Sequence, residues 1–438
     1  MDWVSALVLM LGLLTVLMAL GLPVAFAFLG VNIVGAIIFL GGEPGLAQLV
    51  RDAVASLTNF TLAPIPLFLL MGEVLFQTGV AFKAIDAIER LIAKVPGRLS
   101  IVAVLGGTIF SSLSGSTIAN TAVLGSVLLP DMLKRGYHPT LAVGPIMATG
   151  GIAMLIPPSA LAVLLGSLAG ISISRLLIAG IVPGILMSVL FLGYVVGRAA
   201  LNPSLAPAYD VDRLTPWQRW RPFLVHVVPL FAIFLVVVGS ILVGWATPTE
   251  SAALGCVASV IAAAAYRMLS LAALVKALRE TAKISVMILF IIAASVSFSQ
   301  ILAFSGATNG LLRVMDGIGA SPLWILVAML AILLFLGAFM DQVSMIMITL
   351  PFFIPLAQSL GIDLLWLGVL MLIVMEISFT TPPFGLLIYV MKGVAPPTIT
   401  LRQIYGAALP FILLEILVLA LLVAFPEFVT WLPSVMRP

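Results

Sequence analysis

Charged residues are scarce in this sequence. Only 8% of its 438 residues are Asp, Glu, Lys or Arg, and 63% are hydrophobic. Soluble domains average roughly 25% charged residues, so the balance excludes a water-soluble globular protein. Apolar runs recur along the chain at about the 20-residue length that a helix needs to cross a bilayer. Alternating strands of roughly ten residues, typical of a membrane barrel, are not seen. The composition predicts an all-α polytopic membrane protein.

Cysteine and histidine are also nearly absent. The single cysteine, Cys256, excludes an internal disulfide and a thiol pair for redox chemistry or metal binding; we expect a buried small side chain. The two histidines, His138 and His226, lie in a loop and at the start of an apolar segment, where interfacial roles are expected. The small net charge of +3 indicates basic cytoplasmic loops and not a nucleic-acid-binding surface.

Motifs for enzymatic chemistry are missing too. There is no GxxxxGK[ST] motif for ATP hydrolysis, no HExxH and no paired-aspartate motif. The stretch SLSGS around Ser114 suggests an intramembrane serine protease, but such a nucleophile needs a base within hydrogen-bond reach. Neither histidine lies at the depth of a span, and Ser112 stands where the protease pattern has glycine. We therefore expect no catalytic residues.

The sequence contains an internal repeat. Prolines and glycines, which break or turn membrane helices, recur at a single offset of 225 residues without any gap. The matching pairs are Pro23 and Pro248, Gly30 and Gly255, Pro130 and Pro355, Gly136 and Gly361, Pro157 and Pro382, and Pro158 and Pro383. This spacing predicts two repeats, residues 1–197 and 223–438, joined by a polar interfacial linker at 198–222.

Basic residues predict that the repeats are inverted. Segment 83–98 has four basic residues and its counterpart 308–323 has one, whereas 42–58 has one and 267–283 has four. Basic loops mark the cytoplasmic side, so equivalent loops face opposite sides, as in many secondary transporters. Both termini are expected outside. The ten predicted spans lie near 3–20, 23–41, 60–80, 140–170, 176–197, 225–243, 247–266, 285–305, 365–392 and 405–425.

Two further runs are too long for one crossing and too short for two. The first, 99–130, is uncharged and has basic residues at both ends; the second, 324–355, has Asp341 as its only charge. We interpret both as re-entrant hairpins that enter from opposite sides, with tips near 112–116 and 337–344. Polar, non-helical backbone at that depth is tolerated only where it lines a cavity or is buried in protein.

Each hairpin is followed by a helix that a proline pair interrupts. The pairs are Pro157-Pro158 within 140–170 and Pro382-Pro383 within 365–392. Two prolines remove two backbone donors and free carbonyls one turn earlier. Broken helices at corresponding positions of two halves point to a transporter binding site.

These features predict two similar Na⁺ sites around a central anion site. Hydroxyls and freed carbonyls are uncharged oxygen ligands suited to Na⁺, and half-helix N-termini attract an anion. The predicted Na⁺ ligands are Ser112, Ser114, Gly150, Gly151, Pro157, Gly337, Asp341, Ser344, Thr380, Thr381, Pro382 and Gly385. The predicted substrate contacts are Ser114, Gly115, Ser116, Asn120, Pro158, Thr381 and Pro383. Glu376 stays open between a structural role and ion coupling.

The chain resembles the large membrane subunit of the tripartite ATP-independent periplasmic (TRAP) transporters. The resemblance rests on IFSSLSGSTIANTAVLGSVLLPDMLKRGY at 109–137, on LIPPS at 155–159, and on a second-half run that begins GAFMDQVSM at 337 and ends in TTPPFG at 380–385. It covers essentially the whole chain.

The resemblance implies an elevator-type transporter, in which a scaffold holds a sliding transport domain of hairpins and broken helices. It also implies a bacterial or archaeal inner-membrane location, a small four-helix membrane subunit, a periplasmic substrate-binding protein, and import of an organic acid such as a C4-dicarboxylate or sialic acid. A Na⁺ gradient would drive this import, with no cofactor besides that ion. The alternative is a self-sufficient Na⁺- or H⁺-coupled carrier with the same inverted hairpins.

Overall fold

A computed structural model describes residues 1–92, 95–207, 215–319, 321–383 and 385–436, with the side chains of 112–114, 316 and 318 left out. Within these ranges the chain is helical and has no strand. The α-helices are α1 Trp3–Ala19, α2 Val24–Phe39, α3 Glu43–Leu57, α4 Pro64–Gln77, α5 Val80–Leu91, α6 Arg98–Ser114, α7 Thr117–Lys134, α8 Pro139–Gly151, α9 Ala160–Ala169, α10 Ile173–Ala179, α11 Ile181–Leu201, α12 Pro216–Pro222, α13 Val228–Val243, α14 Pro248–Ala265, α15 Leu271–Phe304, α16 Ala307–Ile318, α17 Pro322–Leu336, α18 Gln342–Ser359, α19 Leu364–Thr380, α20 Leu386–Val394, α21 Leu401–Ala424 and α22 Glu427–Ser434.

Seven segments of the described chain are helical, long and apolar enough to cross a membrane. They are Phe60–Gln77, Ile173–Leu201, Pro216–Val243, Pro248–Ala265, Leu271–Phe304, Gln342–Ser359 and Leu401–Ala424. Several other apolar helices have only 10–17 residues, among them α1, α2, α8, α17 and α19. The predicted total of ten spans depends on how these shorter helices lie, and it stays a prediction.

The helices pack as two groups. In the first group, α15 packs along α2, α3 and α4, α14 packs on α4 and α13, and α1 packs on α2. In the second group, α8 packs against α6, α7 and α21, and α19 packs against α17 and α21. The second arm of each hairpin is the helix that follows its tip, α7 in the first half and α18 in the second. Each second arm contacts the other half of the chain, since α7 packs on α20 and α18 packs on α9.

Helix boundaries recur at the 225-residue offset. Helix α7 spans Thr117–Lys134 and α18 spans Gln342–Ser359, so both ends differ by 225. Gly136 and Gly361 follow these helices with φ of +79° and +67°. Glycine adopts this left-handed conformation at no steric cost, which explains why both helices end where they do.

The segments 42–58 and 267–283, which we predict as loops from their basic residues, are largely helical. Their prediction as loops is therefore wrong. Residues 43–57 form α3, and 271–283 form the start of α15. Most of their charged side chains lie on exposed faces, although Asp52 is buried, and some pair along the helix, as when Lys283 Nζ bonds Glu280 Oε1 at 2.7 Å. A search for long apolar runs passes over such amphipathic helices. In the predicted linker, α11 extends to Leu201, α12 covers Pro216–Pro222, and residues 208–214 lie outside the described ranges.

Candidate functional site

The tip of the first hairpin is a two-residue turn between α6 and α7. Gly115 ends α6 with φ of +60°, and Ser116 caps α7 by accepting a hydrogen bond from the Ala119 N–H at 3.3 Å. Glycine after a helix and serine before one are the usual end signals. A Cβ on Gly115 would lie 2.9 Å from the Pro158 carbonyl oxygen, so the tip rests on the first broken helix.

The tip of the second hairpin carries a charge in the equivalent cap. Asp341, 225 residues after Ser116, caps α18: its Oδ1 accepts from the Ser344 N–H at 3.1 Å and its Oδ2 accepts from the Ser344 hydroxyl. Gly337, at the end of α17, lies against Ser378, since a Cβ there would come 1.9 Å from the Ser378 Oγ. Both oxygens of Asp341 are thus engaged within its own helix turn.

The two proline pairs break their helices at corresponding places. Pro157-Pro158 lies between the 3-10 turn Ile152–Met154 and α9, Pro382-Pro383 lies between α19 and α20, and both Pro-Pro peptide bonds are cis. The Pro383 carbonyl accepts hydrogen bonds from the Tyr405 and Tyr389 hydroxyls at 3.0 and 3.3 Å. A Cβ on Gly385 would lie 2.8 Å from the Thr381 carbonyl. These breaks expose polar backbone beside the hairpins.

A short chain of side-chain bonds ties the first hairpin to α8. The Asn120 Nδ2 donates to the Ser111 Oγ at 2.5 Å, and the Ser111 hydroxyl donates to the Thr149 carbonyl at 2.5 Å. All three residues are fully buried. This arrangement fixes the Asn120 amide, so that its Oδ1 points away from Ser111 and has no hydrogen-bond partner.

Glu376 joins the two halves at the centre of this region. Its side chain is 1% exposed and lies on Gly151, where a Cβ would come 2.2 Å from the Glu376 Cγ. The Gln342 Nε2, at the start of α18, donates to Glu376 Oε2 at 3.4 Å. The Thr117 hydroxyl, at the start of α7, lies beside the same carboxylate. Both broken helices and the first residues of both second arms therefore meet at this carboxylate.

Two buried oxygen atoms in this region, Asn120 Oδ1 and Thr121 Oγ1, lack a hydrogen-bond partner among the described residues. Two more, Thr117 Oγ1 and Glu376 Oε1, interact with each other's side chain and with no other described group. The residues are between 0% and 4% exposed. Gly150 lies against two of them, because a Cβ there would come 2.7 Å from Thr121 Oγ1 and 3.2 Å from Thr117 Cγ2. An unpartnered buried polar atom is costly, so an ordered water or a bound ligand is needed to satisfy these oxygens.

The donor set suits a hard monovalent cation. It consists of hydroxyl, amide and carboxylate oxygens, and in the described ranges no group of three or more His, Cys, Asp and Glu residues is placed to hold a metal ion. None of the ion pairs found in those ranges involves Glu376. Oxygen ligands favour hard cations over the softer transition metals.

Other predicted ligands have their hydroxyl hydrogens already in use. The Thr380 and Thr381 hydroxyls both donate to the Ile377 carbonyl, at 3.0 and 2.5 Å, which leaves their lone pairs free. The side chains of Ser112 and Ser114 lie outside the described residues. Thr117, Thr121 and Gln342 are absent from the predicted set. A signal for Thr117 and Gln342 exists in the sequence, since these two positions differ by 225, as do Gly151 and Glu376.

A separate apolar groove of about 880 Å³ runs between α1 and the second hairpin. It is lined by Leu11 and Met18 of α1 and by Phe352 of α18, and it reaches Asp341 at the hairpin tip. The groove lies where the first helix group faces the second hairpin, and its walls are almost entirely apolar.

A family model described as "Tripartite ATP-independent periplasmic transporter, DctM component" matches residues 11–428. The chain belongs to this family. The C4-dicarboxylate TRAP transporter large permease protein DctM of Pseudomonas aeruginosa is 33% identical over 382 residues, 86% of this chain and 85% of the relative. The sialic acid TRAP transporter large permease protein SiaM of Vibrio cholerae is 28% identical over 417 residues, 94% and 95% of the two chains.

Among solved structures, the YdaH transporter of Alcanivorax borkumensis is similar, with a TM-score of 0.62, 18% identity, and coverage of 89% of this chain and 90% of that chain. At this identity the likeness shows the fold alone. Family membership and the apolar helices make the chain a multi-pass inner-membrane permease subunit and not an enzyme.

Proposed function

We propose that this permease imports an organic acid anion together with Na⁺. The two relatives above carry the names of C4-dicarboxylate and sialic acid transporters, and both substrates are carboxylates. The partners we propose are a small four-helix membrane subunit and a periplasmic substrate-binding protein, in keeping with the tripartite family.

The observation that supports Na⁺ coupling is the cluster of buried oxygens of Thr117, Asn120, Thr121 and Glu376, in which Asn120 Oδ1 and Thr121 Oγ1 have no hydrogen-bond partner. A site without a cationic side chain, lined by oxygens, favours a small cation that is released again on each cycle. The substrate carboxylate is proposed to lie at the α7 N-terminus, where Ser116 is a neutral cap and the free N–H groups and helix dipole favour an anion. The α18 N-terminus is less suitable because Asp341 already supplies negative charge there.

We further propose elevator movement of the second helix group against the first. The 225-residue match of α7 with α18 supports a repeat architecture, and inverted repeats are common in secondary transporters. The apolar groove between α1 and the second hairpin supports an interface that slides. The polar side chains in its lining, Thr15, Asp341 and Thr349, form hydrogen bonds within their own helices and not across the groove.

The test is uptake into proteoliposomes that contain this chain and its small subunit, with binding protein loaded with radiolabelled C4-dicarboxylates or other organic acids. We expect uptake only with both an inward Na⁺ gradient and the binding protein. Uptake without the binding protein would instead show a self-sufficient carrier. Uptake driven by protons and indifferent to Na⁺ would contradict the proposed coupling.

A further inference from the structure

We propose that the start of α15 binds anionic phospholipid, such as phosphatidylglycerol. The binding surface, named the α15 face below, consists of the exposed side chains of residues 267–286. It belongs to the first helix group and shares no residue with the candidate site described above. The inference therefore goes beyond the proposed function and depends neither on the coupling ion nor on the substrate.

Exposed apolar side chains form one stripe of the α15 face. Four of them are between 47% and 77% exposed, namely Leu271, Val275, Leu278 and Val286. Their spacing of four, three and eight residues places them on one side of the helix. Ala277 and Thr281, on another side, are buried. An exposed apolar stripe is stable only in an apolar medium, which the acyl chains of a bilayer supply.

A basic stripe runs beside the apolar one. Lys276, Arg279 and Lys283 are exposed, and their spacing of three and four residues places them on one side of the helix. Glu280 pairs with Lys283 at 2.7 Å, and Glu73 of α4 is close enough for its charge to interact with that of Lys276. Lys276 and Arg279 take part in none of the ion pairs found in the described ranges. The stripe therefore keeps an excess of positive charge.

Arg267, in the turn before α15, adds a further cation in an unfavourable backbone conformation. Its φ is +57°, and among the described residues it is the only one besides glycines with a positive φ. Residues with a side chain rarely adopt this conformation. The equivalent position of the first half is Gly42, with φ of +78°. The second half thus keeps an arginine in a turn that glycine fits better, which indicates a role for its charge.

Most of the basic stripe has no counterpart in the first half. At the 225-residue offset only Lys276 has a basic equivalent, Arg51, and Val54 and Thr58 stand in place of the other two residues. The stripe is thus specific to one copy of the repeat and hence to one side of the membrane. Because basic residues mark the cytoplasmic side, we expect the α15 face in the cytoplasmic leaflet, where anionic lipids attract basic segments.

The two stripes together favour a phospholipid over a soluble anion. A soluble phosphate would need the cations alone and would leave the apolar stripe in water. A phospholipid places its phosphate at the basic stripe and its acyl chains along the apolar one, as at other helices that lie at the membrane interface. An anionic headgroup satisfies the excess charge better than a zwitterionic one.

The experiment is native mass spectrometry and thermal unfolding of the purified full chain with its small subunit in detergent. The protein is titrated with phosphatidylglycerol or with phosphatidylcholine of the same acyl chains. We expect tighter binding and greater stabilisation by phosphatidylglycerol, and a weaker preference at high salt. The double variant Lys276→Gln/Arg279→Gln should lower phosphatidylglycerol affinity at least tenfold, since each charge contributes about fivefold, and leave phosphatidylcholine binding unchanged.

Two further variants sharpen the test. Arg313→Gln/Arg402→Gln removes two exposed cations elsewhere on the chain and is the matched control, with affinity expected within about twofold of the wild type. Arg267→Gly should leave the lipid-free protein at least as stable as the wild type, because glycine fits the turn, and should still weaken phosphatidylglycerol binding about fivefold.

Equal wild-type affinity for the two lipids would overturn the inference. So would unchanged phosphatidylglycerol affinity in Lys276→Gln/Arg279→Gln, and equally strong competition by glycerol 3-phosphate, which would show a site for a soluble anion. Loss of the small subunit from this double variant with the lipid preference intact would show a protein contact at the α15 face and would also contradict the proposal. If the double variant does not fold, Arg267→Gly and the wild-type titration decide.

Discussion

At the scale of single residues, Gly151 sets how closely α8 can approach Glu376. An added methyl group would come 2.2 Å from the Glu376 Cγ, so Gly151→Ala must displace that side chain. We expect a stability loss of about 1–3 kcal/mol from overpacking, together with loss of Na⁺-dependent stabilisation. Thermal unfolding with and without Na⁺ measures both. Gly193→Ala in α11, where nothing lies within 4 Å, is the control; equal behaviour of the two variants would contradict the tight contact.

The hydroxyl of Tyr137 gives a second prediction at this scale. It accepts a hydrogen bond from the Leu99 N–H at 3.3 Å and so connects the chain after α7 to the start of α6. Burial raises the pKa of this tyrosine, so it stays neutral at and above physiological pH. Tyr137→Phe should destabilise the protein by about 0.5–1.5 kcal/mol, by the same amount at pH 6 and pH 9. A loss that appears only at one of these pH values would refute the explanation.

The sequence predicts part of the site at residue scale. Asn120 and Gly150 are predicted from polar residues in an uncharged run and from the proline break, and the structure places both in the region of the buried oxygens. Their roles as ligands, and that of Ser116 at the hairpin tip, stay predictions. The role of Glu376 could not be decided from sequence, because its side chain packs on Gly151, which is 225 residues away along the chain. Which hydroxyls lack a partner is likewise a property of packing and not of composition.

At the scale of elements, the turn of the first hairpin depends on Gly115. Its φ of +60° costs a non-glycine residue about 1–2 kcal/mol, and a Cβ would also lie 2.9 Å from the Pro158 carbonyl. Gly170 has a φ of +68° with nothing within 4 Å. We expect both Gly→Ala variants to lose stability, but only Gly115→Ala to lose uptake as well. Full uptake in Gly115→Ala would mean that the tip need not rest on the break.

The helices on either side of the tips were more predictable than the amphipathic ones. The uncharged run 99–130 contains the turn between α6 and α7, and the proline pairs mark the ends of α19 and α9. Helices α3 and α5 escape an analysis of long apolar runs because charged residues occupy one face of each. Their existence depends on packing against neighbours, which a hydropathy pattern does not reveal.

At the scale of the whole molecule, elevator movement predicts that joining α1 to α18 stops transport. In a Cys256→Ala background, which has no thiol, a bifunctional thiol reagent should link Leu11→Cys to Phe352→Cys across the groove and block uptake. A matched pair within the first group is Leu17→Cys with Gly30→Cys, since a Cβ on Gly30 would lie 3.3 Å from Leu17 Cδ1; linking this pair should leave uptake unchanged. Uptake that survives the groove cross-link would rule out sliding at this interface.

Helix α15 is 34 residues long without interruption, whereas the equivalent stretch of the first half is divided between α3 and α4. At 1.5 Å per residue it is about 51 Å long, well beyond the ~30 Å hydrocarbon core. Its N-terminal stretch, residues 271–283 with exposed Lys276, Arg279 and Lys283, is therefore expected at the level of the lipid phosphates. We expect α15 to set the height of the protein in the bilayer, and we expect that height to change with bilayer thickness and with anionic lipid.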